Sequence, residues 1–448
     1  MEQAAAGRRF AHHYTFRAIT EYRIASGGTL RLRALSGLLL SRLVKSQSIR
    51  AAVIFAAGGF GFAAGNVVLA MVLPPATFGV IALLLALNQF GLTLGSLGME
   101  VIVNRHRPLL DRAFAINLLV PAVCTAALMA ATAHYFYELT PGIAALAFIL
   151  IVASTVNRVV AGLFQEERQF LSAMALLQIH NYTLLIAAGL VVLFALPNAT
   201  LVTALIAVSY LCSAAVGWWR ASTTMTSGRV VVSIRLLLSE GISVVGLNLA
   251  VQFLFQFERL AIPKVGSMTM LATYAVLAAI AGSPYRMIQL GNSFTLLPRI
   301  RSAPDAVAAR KVISHEFITA ALVALLSTVA LIVFAPAVFH YVLHDRYVIG
   351  WALLSVAIAM GMVRVWEGFS TTVVSALGTP RRLAQLSVVS WVSLGVALVG
   401  VVVGSRYGLV GVLYGTMAAW IVLAIGGTWL AQISFRERFA SVEPALSS

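Results

Sequence analysis

Long apolar stretches recur along the whole chain and decide what it can fold into. A helix that crosses a bilayer needs about 20 mostly apolar residues, and the sequence contains roughly twelve such stretches. Of its 448 residues, 60% are hydrophobic and only 10% are charged, whereas about a quarter of the residues in soluble domains are charged. The sequence therefore predicts an all-α polytopic membrane protein with about twelve transmembrane helices.

Arginine and lysine are distributed unevenly between the predicted loops. Of the 31 lysines and arginines, roughly 24 fall on the side that holds both termini, about 4 on the other side and about 3 within spans. Positively charged loops are retained in the cytoplasm, so both termini are predicted to be cytoplasmic. The net charge of +16 then reflects membrane topology and gives no reason to expect a nucleic-acid partner.

The two halves of the chain share weak sequence similarity. Leu73-Pro74 and Ile262-Pro263 each close a span, and Phe78-Gly79 and Tyr274-Ala275 each open the next one. This pattern favours two six-helix lobes around a central cavity. The predicted divisions are a basic cytoplasmic N-terminal tail at 1–48, an N-lobe at 49–219, a cytoplasmic linker at 220–238, a C-lobe at 239–431 and a cytoplasmic C-terminal tail at 432–448.

Polar side chains recur at steps of three and four along the second, seventh and eighth spans, which places each set on one helix face. Hydrogen bonding between helices would explain any one such stripe. Three stripes on the leading helices of both lobes favour a shared polar cavity instead. The candidate substrate-binding residues on these stripes are Gln89, Asn248, Gln252, Gln256 and Gln289.

Three arginines, Arg158, Arg286 and Arg364, lie inside apolar spans. A charge there is costly unless it faces a protein interior or a watery cavity. A rise of about 1.5 Å per residue places all three in the cytoplasmic half of the bilayer at similar depth. Each could instead reach the headgroups alone, and Arg364 could pair with Glu367. Clustered, they would form a cationic site suited to phosphate, whose oxygens guanidinium binds bidentately.

Other notable residues receive more modest interpretations. Glu258 and Arg259, the last residue of the seventh-span stripe, are predicted to lie near the outer interface. Glu258 is predicted to pair with Arg259 or Lys264. His180 is predicted to be a core histidine satisfied by a neighbour, in preference to a proton carrier. Candidate hinges are Pro284, Gly282 and Gly61, because broken helices are common at transporter sites, although small residues also serve tight helix packing.

The sequence lacks the features of an enzyme or a nucleotide-driven pump. It contains no catalytic constellation, no glycine-rich phosphate loop followed by lysine and no metal motif, and its outer turns are only a few residues long. We therefore expect a protein that is not an enzyme and that holds no cofactor. A coupling ion is compatible with this expectation, but no site for one can be read from the sequence.

Several short motifs occur in a characteristic order and spacing: Leu73-Pro74-Pro75, Phe78-Gly79, Gly98, Tyr274, Leu297-Pro298-Arg299, Ala376-Leu377-Gly378 and Tyr407-Gly408-Leu409-Val410-Gly411. Together they resemble those of bacterial polysaccharide flippases of the multidrug/oligosaccharidyl-lipid/polysaccharide exporter superfamily. The resemblance covers about residues 49–431. It departs from the pattern at Glu258, where relatives often carry Asp, and it lacks the charged first helix and the two extra spans of lipid II flippases.

The resemblance implies a multi-pass flippase of the bacterial inner membrane. Its substrate would be an undecaprenyl-pyrophosphate-linked oligosaccharide for O-antigen or exopolysaccharide synthesis, moved by alternating access. Its partners would be that lipid-linked oligosaccharide, membrane lipid and other polysaccharide assembly proteins. Two alternatives stay open: a cation-coupled multidrug or other small-molecule exporter of the same superfamily, and a non-transporting scaffold of a polysaccharide assembly complex.

Overall fold

The structure is a computed structural model that describes residues 47–167, 169–195, 198–225, 229 and 234–440. By internal contacts the chain divides into Met1–Ala51 and Ala52–Ser448, and the second unit contains α2–α14 and most of α1. The helices are α1 Gln47–Val72, α2 Pro75–Ser96, α3 Met99–His106, α4 Arg112–Ala131, α5 Pro141–Glu166, α6 Phe170–Phe194, α7 Ala199–Thr224, α8 Ile234–Val265, α9 Met268–Leu277, α10 Ser283–Arg301, α11 Ala306–Ala337, α12 Trp351–Leu377, α13 Pro380–Gly404 and α14 Gly408–Ala440.

The predicted all-α membrane fold is confirmed. Among the described residues, nine helical segments are long and apolar enough to cross a membrane, and the longest, Pro380–Phe439, contains both α13 and α14. A 3-10 turn at Ser405–Tyr407 separates those two helices. Each predicted span coincides with a described helix, except that α9 and α10 share the eighth span. We call α1–α7 the N-lobe and α8–α14 the C-lobe.

Several predicted boundaries shift. Helix α7 continues to Thr224 and α8 already begins at Ile234, so the connection between the lobes is shorter than the predicted linker. Helix α14 continues to Ala440, well into the predicted C-terminal tail. The predicted N-terminal tail lies almost entirely outside the described residues.

The loops fall into two groups, at opposite ends of the bundle. We call the end with the connections α1–α2, α4–α5, α6–α7, α8–α9, α11–α12 and α13–α14 the short-loop end, and the opposite end the basic end. At the basic end, α2 stops at a left-handed pair, Leu97 with φ 45° and Gly98 with φ 69°. Leucine rarely adopts this conformation, whereas glycine does so freely, and the pair turns the chain into the short helix α3.

Two matching turns at the short-loop end demonstrate the internal repeat. Helix α4 ends in a π-helical turn, Thr132–Phe136, and α11 ends in another, Val338–Val342. Both turns close with the same backbone hydrogen bonds, and both contain an edge-to-face His-Tyr ring pair. The equivalent bonds run from Tyr137 N to Thr132 O (3.1 Å), from Leu343 N to Val338 O (3.1 Å), from Leu139 N to Ala133 O (3.0 Å) and from Asp345 N to Phe339 O (3.2 Å).

Each of these turns is followed by a tyrosine that binds the other lobe. The Tyr137 hydroxyl, in the N-lobe, donates to the carbonyl of Leu260 near the end of α8 (2.7 Å). The Tyr347 hydroxyl, in the C-lobe, donates to the carbonyl of Ala70 near the end of α1 (3.0 Å). At the same end, a side chain on Gly79 would collide with the backbone of Met268. The two lobes are therefore tied together at the short-loop end.

Candidate functional site

A cavity of ≈ 410 Å³ lies between the lobes. Its walls come from α1, α2, α5, α6 and α7 of the N-lobe and from α8, α9, α10 and α12 of the C-lobe. The described lining contains four arginines, several amides and no carboxylate. The arginine, amide and histidine side chains of the lining are Arg158, Arg259, Arg286, Arg364, Gln89, Gln178, Gln256, Gln289, Asn157, Asn181 and His180.

Arg364 on α12 forms an ion pair with Glu258 on α8. Glu258 is fully buried, with 0% of its surface exposed, and Arg364 also lies 4.8 Å from the centroid of the Trp420 ring. Two sequence-based predictions are therefore wrong: Glu258 does not pair with Arg259 or Lys264, and Arg364 does not pair with Glu367. Helix α8 passes through Pro263 and ends at Val265, so Glu258 lies deeper in the bundle than a helix ended by proline would place it.

Arg158 on α5 is anchored in the N-lobe. Its Nε donates to Glu100 Oε1 on α3 (2.9 Å), and its Nη1 lies 3.4 Å from Thr93 Oγ1 on α2. A guanidinium that only reached for headgroups would not make these contacts with two other helices. Glu100 can take this position because the Leu97-Gly98 turn redirects the chain after α2.

Arg286 and Arg259 have no acidic partner among the described residues. Arg286, in the first turns of α10, is open to the cavity. Arg259, on α8, lies 5.9 Å from the centroid of the Phe62 ring. The charges of Arg259, Arg286 and Arg364 are close enough to repel one another. Glu258 balances only part of this charge. Excess like charges in an apolar bundle are unfavourable unless an anion joins them, so this cluster is suited to binding one.

The amides hold the cavity wall in place and offer further hydrogen-bonding groups. The Gln289 Nε2 atom donates to Glu367 Oε2 (3.0 Å), so the buried carboxylate of α12 has a hydrogen-bond partner. The Gln256 Oε1 and Asn181 Oδ1 atoms are buried without a hydrogen-bond partner among the described residues. A buried acceptor without a donor is costly in free energy. These oxygens therefore suit a ligand whose hydroxyl groups donate hydrogen bonds to them.

The remaining predicted positions differ in their relation to the cavity. Gln89 lines it, but Gln252 is not part of the described lining. The side chain of Asn248 lies outside the described part of the structure. Gly61 lies against the backbone of Asn181 on α6, a contact that fits tight helix packing. Gly282 lines the cavity.

The eighth span is broken next to the arginine cluster. A π-helical turn, Ala278–Gly282, separates α9 from α10, and Pro284 occupies the first turn of α10. An inserted π turn leaves backbone bonds out of register and often marks a functional site. The break places Arg286 and Gln289 on one continuous helical face toward the cavity, as expected from their spacing.

Five of the lining residues named above were not predicted as site residues: Arg259, His180, Gln178, Asn157 and Asn181. Arg259 belongs to the predicted polar stripe of the seventh span, and only its assumed depth removed it from consideration. His180 stacks on Tyr210, with ring centroids 5.8 Å apart, but its Nδ1 is buried without a hydrogen-bond partner among the described residues. The structure thus places His180 in the protein interior against an aromatic neighbour. Gln178 was not singled out, although Asn181 lies three residues later on the same helix face and its Nδ2 donates to Gln178 Oε1 (2.5 Å).

Comparison with solved structures places this architecture among known transporters. The lipid II flippase MurJ in an inward closed conformation matches with a TM-score of 0.60 and 13% identity, covering 86% of this chain and 89% of that one. An inward-facing multidrug resistance MATE family transporter of the MOP superfamily matches with a TM-score of 0.57 and 15% identity, covering 86% and 98%. The eukaryotic MATE transporter AtDTX14 matches with a TM-score of 0.50 and 12% identity, covering 86% and 98%.

Comparison with protein families gives a more specific result. Residues 68–352 match the family described as "Polysaccharide biosynthesis protein", which is more than half of the chain. A search of curated proteins found no match. The chain belongs to this polysaccharide biosynthesis protein family and has the fold of the MOP superfamily transporters.

Proposed function

We propose that this protein is a flippase that moves an undecaprenyl-pyrophosphate-linked oligosaccharide across the bacterial inner membrane for O-antigen or exopolysaccharide synthesis. The observation that carries the proposal is the cavity between the lobes, with four arginines and no carboxylate in its described lining. Membership of a polysaccharide biosynthesis family and a fold shared with a lipid II flippase support the same substrate class.

The pyrophosphate docks on the arginines that retain free donors. Arg286 offers a whole guanidinium, whereas Arg364 and Arg158 each give part of theirs to a glutamate. Charge-assisted hydrogen bonds to phosphate oxygens are roughly twice as strong as neutral ones. Gln89, Gln256 and Asn181 face the sugars, and the polyprenyl chain stays in the bilayer beside the lobes.

Contacts between the lobes at both ends of the bundle support transport by alternating access. The basic end is cytoplasmic, so the tyrosines bridging the lobes close the periplasmic side in this conformation. When the lobes move, the short-loop end opens and the basic end closes. At the basic end, His106 Nε2 of the N-lobe lies 3.0 Å from Glu240 Oε2 of the C-lobe. The π turn before Arg286, with Gly282 and Pro284, is the hinge that moves the arginine during this movement.

A multidrug exporter is the main alternative, because the MATE fold is shared. A cavity that selects cationic drugs needs carboxylates, so the basic lining favours the anionic lipid-linked substrate. A scaffold without transport activity is the other alternative, and it has no need for arginines within the membrane.

A deletion strain separates these functions. Loss of surface polysaccharide, with lipid-linked oligosaccharide accumulating on the inner leaflet, is expected for the flippase. Normal polysaccharide with increased drug sensitivity would favour the exporter and overturn the proposal. Complementation with Arg286→Gln should fail, while Arg406→Gln, at an exposed loop of the short-loop end, should restore the polymer. Full complementation by Arg286→Gln would remove the arginine site from the proposal.

A further inference from the structure

A second and larger cavity, ≈ 1510 Å³, opens on the outer surface of the C-lobe at the basic end. It is bounded by the end of α10, the first turns of α11, the second half of α12 and the last turns of α14. Its lining shares no residue with that of the cavity between the lobes. We call it the C-lobe cleft.

The cleft exists because two helices of the C-lobe are longer than their counterparts in the N-lobe. Helix α11 has 32 residues and α4 has 20, while α14 has 33 and α7 has 26. The matching π turns align α11 with α4 at the short-loop end, so the extra turns of α11 project at the basic end. The residues of α11 that line the cleft, from Ala306 to Phe317, belong to these extra turns.

The two ends of the cleft differ in chemistry. Toward the membrane interior it is aromatic: the Phe317 and Phe369 rings meet edge to face at 5.2 Å, and Trp366 Nε1 donates to Thr428 Oγ1 (2.9 Å). At the other end, four arginines face one carboxylate. Thr428 and Arg438 lie ten residues apart on α14, so the polarity changes over about 15 Å. The charged residues are Arg301, Arg310, Arg436, Arg438 and Asp305.

Some charged residues of the cleft already bind other parts of the protein, whereas two arginines do not. Arg301 donates to the carbonyl of Ser375 (3.0 Å), and Asp305 caps α11 by accepting from the Ala308 amide (2.7 Å). Arg310 and Arg436 are exposed and form neither an ion pair nor a hydrogen bond with the described residues. They offer two guanidinium groups at the mouth of an apolar cleft.

We propose that the C-lobe cleft binds an anionic glycerophospholipid of the leaflet at the basic end. The phosphate lies at Arg310 and Arg436, and one acyl chain lies against Trp366 and Phe369. A phosphate group and a hydrocarbon chain joined in one molecule match both ends of the cleft. Basic residues at a membrane surface attract anionic lipid, and tryptophan favours this interfacial depth.

Tryptophan fluorescence of the purified full-length protein tests the site, with phosphatidylglycerol carrying brominated acyl chains as quencher. We expect stronger quenching than with brominated phosphatidylcholine, and Trp366→Phe should abolish the excess. The double variant Arg310→Gln/Arg436→Gln should bind phosphatidylglycerol about 10- to 30-fold more weakly. The matched double variant Lys311→Gln/Arg381→Gln removes the same charge from exposed positions outside the cleft and should leave binding unchanged.

Three results would overturn the proposal. Equal quenching by both lipids would mean that the cleft does not select anionic headgroups. If brominated phosphatidylglycerol still quenches Trp366→Phe more strongly than brominated phosphatidylcholine does, the lipid binds elsewhere. Displacement of the lipid by glycerol phosphate at comparable concentration would mean that an anion alone fills the site. All four arginine and lysine positions are exposed, so their variants should fold, and none of them lines the cavity between the lobes.

Discussion

Arg364 and Glu258 are joined across two helices of the C-lobe, and the carboxylate is completely shielded. The pair fixes α12 against α8 and leaves part of the guanidinium facing the cavity. Ion pairs buried in this way contribute little beyond a well-packed apolar pair, but leaving one partner alone costs about 3–5 kcal/mol. The pair therefore serves to position Arg364.

The first prediction concerns this pair. Glu258→Gln should lower the free energy of unfolding by about 3–5 kcal/mol, because it leaves Arg364 beside Arg259 and Arg286 without its counter-charge. The double variant Glu258→Gln/Arg364→Gln should recover much of that loss. Thermal unfolding of the parent protein, Glu258→Gln, Arg364→Gln and the double variant in detergent provides the double-mutant cycle. Strictly additive losses would contradict a direct interaction.

The second prediction separates function from stability at Arg286. Arg286→Gln should keep or raise the melting temperature, because it relieves repulsion from Arg259 and Arg364. It should also reduce transport at least about tenfold, since one charged hydrogen bond contributes about 1.5–3 kcal/mol. A large drop in melting temperature would instead give Arg286 a structural role. Arg406→Gln is the control and should change neither quantity.

The third prediction concerns the tyrosines that bridge the lobes. Tyr137→Phe/Tyr347→Phe should weaken closure of the short-loop end by about 1 kcal/mol per hydrogen bond. Spin labels at Glu138 and Ser267, in a background without Cys124 and Cys212, should then report a larger share of long distances. The control Tyr135→Phe/Tyr341→Phe alters two exposed tyrosines of the same π turns and should leave the distance distribution unchanged.

The same tyrosines predict a response to alkaline pH. Burial raises the pKa of the Tyr137 and Tyr347 hydroxyls to about 12. Their ordinary pKa of about 10 applies once the short-loop end opens. The two tyrosine hydrogen bonds therefore stabilise the closed end fully below pH ~10, and this stabilisation is lost as the pH rises through about 12. The spin-label distances should lengthen over that interval in the parent protein and less in the double phenylalanine variant.

The fourth prediction tests the close approach of the lobes at Gly79. Gly79→Ala should hinder closure of the short-loop end, because the added carbon collides with the backbone of Met268. Gly142→Ala adds the same atom at the same end into open space and is the matched control. An unchanged distance distribution in both variants would show that this contact does not govern closure.

The helices and the three arginines within spans were accessible from sequence for a simple reason. Lipid favours long apolar helices that satisfy their own backbone groups, so the spans stand out, and Arg158, Arg286 and Arg364 are conspicuous within them. The structure brings all three to one cavity. Their depth along each helix was sufficient to anticipate this, because neighbouring helices in a bundle run nearly parallel.

The pairing of the charges could not be predicted in the same way. Glu258 meets Arg364 through contact between two helices distant in sequence, whereas helical spacing offers only neighbours such as Glu367. Pro263 also led to a wrong end for the seventh span and so to a wrong depth for Glu258. The proline lies inside α8 near its end, where the bundle tolerates it. Arg259 was thereby assigned to the interface, although its stripe already pointed to the cavity.

The most direct test of the central claim is transport by the purified protein in proteoliposomes. The substrate is an undecaprenyl-pyrophosphate-linked oligosaccharide, and its arrival in the opposite leaflet is followed by a glycosidase confined to that side. The parent protein should expose the substrate faster than protein-free liposomes, and Arg286→Gln should be slower by at least about tenfold. Equal rates for the parent protein and Arg286→Gln would contradict a pyrophosphate site at the arginine cluster.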